Sequence, residues 1–277
     1  DWLVKHQRPD GDLYLPGDAK SSQAVWLYSH AIAAIALCEA FGMTGDETLR
    51  EPAQKALDFI IRSQDPKQGG WRYGPGKDSD TSVTGWQLMA LKSGELAGLR
   101  VPAETYRNVA RWLDTAQKEN GALYVYHPFA KERRDTGEWA GHGRNPSPTM
   151  TSVGLLCRLY LGWNRDDPRM KKGAEYLRAN LPNATQADKR DTYYWYYATQ
   201  VMFHMHGVHW QEWNARLHPL LIERQVRRGP LAGSWEPRGP MPDRFGEQCG
   251  RLYVTAMNLL SLEVDYRHLP LYEQTAQ

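Results

Sequence analysis

"SQDPKQGGWRYGPGKDSDTSVTGWQLMALKSGELAG", residues 63–98, carries three signals in one stretch. A Gln closes a helix-like run, a polar turn built on Gly69 and Gly70 leads to Trp71, and a run of small and apolar residues follows from Thr81. That run is apolar on nearly every face, so a helix made from it must be covered on more than one side. The turn glycines permit positive φ where a side chain would clash. Asp80 stands where an N-cap stands, able to accept an orphan N–H of the first turn.

The Gln, Gly-turn, aromatic pattern recurs in "HQRPDGDLY" (6–14), "AQKENGALYVY" (116–126) and "RQVRRGPLAGSWEP" (224–237). Recurrence of this kind marks a repeat architecture. Apolar helices are expected at 21–42, 80–98, 149–163, 191–207 and 250–266, with amphipathic helices at 46–64, 102–117, 167–182 and 210–225. In the second amphipathic helix Val109, Leu113 and Ala116 share a face while Glu104, Arg107 and Arg111 stay wet. No segment shows a sustained strand period. The alternation implies an all-α chain of about five stacked helical hairpins, an α/α toroid (barrel) with apolar helices inside and amphipathic ones outside, residues 1–277 forming a single domain. Asp80, Thr149 and Asp191 are the expected caps, and Pro148 suits a helix entry. The stretch 125–148 is the longest loop and is expected to form a lid or rim.

The composition includes 11 Trp and 15 Tyr against 5 Phe, and such polar-tipped aromatics suit cavity walls. A net charge of +2 with no basic stripe argues against nucleic acid, and "RQVRRG" at 224–229 reads as cations at a helix end. Three scattered cysteines make no disulfide framework; Cys38 and Cys157 are expected to pack as small hydrophobes, and their usage is compatible with the cytoplasm. No apolar run reaches the ~20 residues that span a bilayer, so a soluble protein with no transmembrane segment is expected. Because the chain opens at Asp1, without Met and inside a helix-like run, an N-terminal portion is expected to precede it. Compartment, oligomeric state and protein partners stay open.

The Gln–Gly–aromatic turns resemble the QW repeats of squalene–hopene cyclases, and "DTSVTGWQLMAL" resembles the helix after their catalytic aspartate motif. The chain thus resembles the α/α-toroid group of terpenoid cyclases and protein prenyltransferases. The resemblance implies a central aromatic cavity for an isoprenoid or related lipid, with functional residues gathered at the inner-helix N-termini. Asp80 and Asp78 are the candidate catalytic acids. Tyr28, His30, Trp86, Thr151, Asp191, Tyr194, Arg251 and Tyr253 are the candidate substrate-binding residues. Trp26 and the run Tyr193–Tyr197 extend the same aromatic wall, although plain helix packing explains such residues equally well. The cyclases carry D-x-D-D-T at this point; aligning on Thr81 puts Asp80 on the last Asp, Ser79 on the proton donor and Lys77 on the first Asp. Cyclase activity is therefore doubtful, and a lone Asp beside Lys77 is expected to stay ionised.

Protein prenyltransferases hold zinc at inner-helix starts, which makes Glu247, Cys249 and His30 a candidate ligand set. Otherwise no cofactor is implied. In "FHMHGVH" only His206 and His209 could share a metal, and Gly207 suggests that a helix ends there. Two other classes fit the same residues. A carbohydrate-active α/α barrel would pair two of Asp80, Asp191, Asp243 and Glu247 as acid and base. A non-catalytic scaffold would use the concave face of the repeats.

Overall fold

The structure, a computed structural model, describes residues 1–16, 23–130, 143–183, 190–239 and 242–267. Much of the expected lid, at 131–142, lies outside these residues, as does the expected first turn of the first apolar helix at 21–22. The chain divides into two compact units, Asp1–Pro146 with Cys157–Trp163, and Ser147–Leu156 with Asn164–Gln277.

In the first unit a short helix α1 (Trp2–His6) precedes α2 (Trp26–Thr44), α3 (Arg50–Arg62), α4 (Thr81–Leu96) and α5 (Ala103–Ala116). Helix α2 packs on α3 and α4, and α4 packs on α5. Every residue of α4 from Thr81 to Leu91 is buried, as its unbroken apolar face requires. Helix α5 instead buries only the stripe Thr105, Val109, Trp112, Leu113 and Ala116. A two-residue hairpin follows, β1 (Gln117–Lys118) antiparallel to β2 (Leu123–Tyr124), with Gln117 opposite Tyr124. Helix α2 is 19 residues long with mean hydropathy 1.3, enough by length and composition to cross a membrane. This corrects the expectation that no run reaches that limit; here α2 packs on its neighbours and buries His30 among Leu27, Ala31 and Ala34.

The second unit carries α6 (Pro148–Tyr160, as far as Leu156), α7 (Pro168–Arg178), α8 (Thr192–Met205), α9 (Gly207–Arg224), α10 (Gly246–Leu262) and α11 (Val264–Arg267). Helix α8 packs on α7, α9 and α10 and is buried without a break from Thr192 to Met202. Two expected boundaries move. Thr149 lies inside α6, and the cap is Ser147, whose Oγ accepts from the Met150 N–H at 3.1 Å, because Pro148 occupies the first helical position. Helix α10 begins at Gly246 rather than 250, with a break at Gly250, where φ is 73°.

The recurring turn has one geometry in several places. Gln64 Nε2 donates to the Gly69 carbonyl (2.9 Å) and to the Thr105 carbonyl in α5 (3.1 Å). Gln7 does the same with Gly11 (3.1 Å) and Pro52 of α3 (2.9 Å). Gln225 donates to Gly233 at 3.0 Å. Each Gln therefore closes its own turn, and two of them also bind that turn to the next amphipathic helix. The indoles complete the pattern: Trp71 Nε1 donates to Ile60 O and Trp235 Nε1 to Leu221 O, both at 2.8 Å and both fully desolvated. Gly69 must be glycine twice over. Its φ is +91°, and a Cβ there would lie 2.2 Å from Asn108 O.

Candidate functional site

Asp80 ends the turn with extended backbone and caps α4, its Oδ1 accepting from the Val83 N–H at 2.7 Å. Its Oδ2 accepts from the Tyr126 hydroxyl at 3.1 Å. Arg72 Nε lies 3.7 Å from the same oxygen, beyond hydrogen-bond reach. The Asp80 side chain is wholly buried. Burial pushes its carboxyl up to about 7, against the opposing pull of the Val83 N–H, Arg72 and Tyr126. The expectation of an ionised Asp80 beside Lys77 is thus corrected: Lys77 is exposed, and the basic neighbour is Arg72.

Asp78 is the partner that stays charged. It accepts from Arg72 Nη1 at 2.5 Å and sits 3.1 Å from His127 Nε2. Its own partial burial would raise it, yet Arg72, His127 and the Ser79 N–H outweigh that and hold it below the usual carboxylate range. Two carboxyls two residues apart are therefore driven in opposite directions, the pattern that separates a proton-holding group from a charged one. Ser79, at the position a cyclase donor would occupy, is spent on structure, its Oγ accepting from the Gly70 N–H at 3.0 Å.

Around this pair lie half-buried rings. The Tyr73 and Tyr126 hydroxyls meet at 2.5 Å, and the Tyr28 and Tyr73 ring centroids are 6.5 Å apart. The Arg72 guanidinium lies over the Tyr73 ring at 5.0 Å and the Tyr126 ring at 5.8 Å. Tyr28 donates to Ser82 Oγ at 2.7 Å in the first turn of α4. Trp86 is one turn deeper and only 4% exposed, which makes it core rather than surface. Arg72, Tyr73, Tyr126 and His127 were not singled out from the sequence. Tyr73 and Tyr126 are the final aromatics of two repeated turns, a signal that was present, but their pairing across 53 positions was not legible.

His30 belongs to neither a lipid nor a metal site. Its Nδ1 accepts from the Leu13 N–H at 3.1 Å and its Nε2 faces the Ala56 carbonyl at 3.1 Å, with Asp12 at 3.3 Å and Trp26 Nε1 donating to Asp12 at 3.0 Å. Both ring nitrogens are engaged with backbone, so the expected set of Glu247, Cys249 and His30 does not form. Among the described residues no group of three His, Cys, Asp or Glu side chains could hold a metal ion. Cys249 is exposed, while Cys38 and Cys157 are buried, burial pushing each of those thiols up to about 12. His206, at φ 57°, ends α8, and His209 pairs with Glu175 at 2.9 Å.

In the second unit Asp191 caps α8 through the Tyr194 N–H (3.0 Å) and also accepts from Thr149 Oγ1 (3.2 Å). Arg244 Nη1 approaches it at 3.4 Å, and burial raises its carboxyl above the ordinary value. Asp243 accepts from the Thr192 N–H at 2.9 Å and the Phe245 N–H at 3.0 Å. Glu247 is exposed. The acids available for a sugar-cleaving pair in this unit are therefore largely spent on helix starts. The Tyr194 hydroxyl donates to Asn180 O at 2.9 Å, anchoring it to the end of α7 rather than to a ligand surface. Arg251 binds Glu236 and Ser234 in the Trp235 turn, Thr151 is fully buried, and Tyr253 lies edge-on to Phe245 at 6.5 Å. A depression in this unit, about 460 Å³ between Trp210, His218 and Asp265, involves none of these residues.

An all-α chain of apolar and amphipathic helices, with capped apolar helices and an acid at one helix start, has the fold of the terpenoid cyclases, the α/α-toroid class. Two of the solved structures it matches are of one enzyme. The apo type II terpene cyclase MstE from Scytonema aligns at a TM-score of 0.60 with 15% identity, over 97% of this chain and 72% of that one. The apo form of a single-residue variant of the same enzyme aligns at 0.59 with 14% identity, over 97% and 70%. No family model matches the chain, and no curated protein matches it by sequence.

Proposed function

We propose that this protein binds an isoprenoid or related lipid chain, with the start of α4 as the contact point in the first unit. The observation that carries the reading is the grouping there of the Tyr28, Tyr73 and Tyr126 rings beside an acid that holds a proton near neutral pH. Ring faces favour both hydrocarbon and any developing cation. The fold shared with a type II terpene cyclase supports the same substrate class by analogy. The Gln–Gly–Trp turns then play the bracing role of QW repeats, holding the helix starts in place. Cyclisation by direct proton transfer from Asp80 is disfavoured in this resting geometry. The carboxyl is fully covered, and Tyr126 and Tyr73 separate it from solvent. Asp80 acts instead as cap and proton store behind the tyrosines.

The test is a binding panel by thermal shift and intrinsic tryptophan fluorescence, using squalene, geranylgeraniol and oligosaccharides. A ligand at 100 times its dissociation constant adds about 2.7 kcal/mol to stability. Saturable stabilisation by the isoprenoids, diminished in Tyr73→Ala, supports the proposal. A response to sugars alone, or to nothing, removes it.

A further inference from the structure

At the start of α8 a second feature has no part in the lipid reading. A small cavity of about 20 Å³, partly enclosed, is bounded by residues of α8, α9, α10 and the Trp235 turn. That is room for one oxygen-sized atom. Three of its lining residues carry buried polar atoms without a hydrogen-bond partner: Thr192 Oγ1, Trp195 Nε1 and Asn258 Oδ1. Their residues are 1%, 3% and 2% exposed. Three such atoms on the lining of one cavity point to something that should bond to them.

The rim supplies charge. Arg190 and Arg224 both line the cavity. Arg190 Nη2 donates to the Glu236 carbonyl at 2.8 Å. Arg224 has no ion pair among the described residues. Burial holds the Arg190 guanidinium below its ordinary pKa. The Asp243 and Glu236 charges work against that, while the Arg224 charge adds to it. A water molecule would satisfy the inner groups; the Asp243 and Glu236 charges balance Arg190 in part, and Arg224 is left for an anion. An anion serves both the inner groups and Arg224, while the first N–H groups of α8 are already taken by Asp191 and Asp243.

We infer that this cavity is a binding site for a phosphate-type oxyanion. One oxygen enters between Thr192 and Trp195, and the rest of the group is held between Arg190 and Arg224. The indole N–H and the threonine O–H donate to the inserted oxygen. Asn258 turns its amide to donate as well, or accepts from a protonated phosphate oxygen. Trp195 thereby gains a use that the aromatic wall did not give it.

The experiment is calorimetric titration of the whole protein with inorganic phosphate and with pyrophosphate, at fixed ionic strength set by sodium chloride. Two variants accompany it: Arg224→Gln, at an exposed position, and Trp195→Phe, which keeps the ring and removes the donor. Saturable binding is expected in the unaltered protein. Loss of a charged donor in Arg224→Gln should weaken it roughly tenfold or more, and Trp195→Phe should weaken it roughly fivefold. Circular dichroism checks that both variants keep their helices. No saturable heat from either anion, or equal affinity in all three proteins, overturns the inference. Neither anion carries hydrocarbon, so failure here leaves the isoprenoid proposal standing, and the reverse also holds.

Discussion

Replacing Asp80 by Asn separates its two duties. Asparagine keeps the cap, because its Oδ1 can still accept from the Val83 N–H, but it cannot ionise. In the folded protein the Asp80 carboxyl titrates near 7, against 3.8 for the ordinary group. The folded state therefore binds the proton more tightly than the unfolded chain. Its stability contribution is intact below about pH 3.8 and is lost as pH rises towards 7, the opposite sense from a salt-bridged carboxylate. The gap corresponds to about 4 kcal/mol, and full burial means solvent screening reduces it little. The assay is urea denaturation of both proteins from pH 4 to pH 8. Asp191 also has a raised pKa, but it is common to both proteins and cancels in the difference. The variant should gain on the unaltered protein by about 4 kcal/mol across that range, most of it between pH 4 and 7. A difference that stays flat with pH refutes the buried, proton-holding Asp80.

Other positions give sharper structural readouts. Gly69→Ala should cost at least about 2 kcal/mol in denaturation midpoint, because the new Cβ meets Asn108 O at φ +91°. Trp71→Ala should cost about 3–5 kcal/mol, combining a large cavity with loss of the indole's bond to the Ile60 carbonyl, whereas a loss below 1 kcal/mol would mean the turn is not a brace. His30→Ala should lower stability by about 3 kcal/mol, since it empties a fully buried site and leaves the Leu13 N–H without its acceptor, while Cys249→Ser should leave both stability and metal content unchanged by elemental analysis. Tyr126→Phe removes a hydrogen bond that favours the Asp80 anion, so the stability-pH midpoint attributed to Asp80 should move upward.

Much of the architecture was legible because it rests on local rules. Alternating apolar and amphipathic runs located the helices, and Asp80 and Asp191 were readable as caps from residue type and position alone. The Gln, Gly and aromatic of each turn were readable as a repeat, although their bonding to the next helix was not. Boundaries failed where a neighbouring residue competed: Pro148 passed the cap back to Ser147, and Gly250 interrupted α10 instead of preceding it. The site was less legible, for one physical reason. Whether Asp80 holds a proton depends on burial and on Arg72 and Tyr126, whereas the nearest basic neighbour in sequence, Lys77, is exposed and is not among the groups that shift it. His30 failed as a ligand for the same reason, since its partners Leu13 and Ala56 lie far along the chain.

The most direct test of an isoprenoid site at the start of α4 is photo-crosslinking with a diazirine-bearing geranylgeranyl probe, followed by peptide mapping. An isoprenoid site predicts labelling of Tyr28, Tyr73 or Tyr126 that excess unlabelled geranylgeraniol competes away. Labelling elsewhere, or labelling that competitor does not suppress, would contradict it.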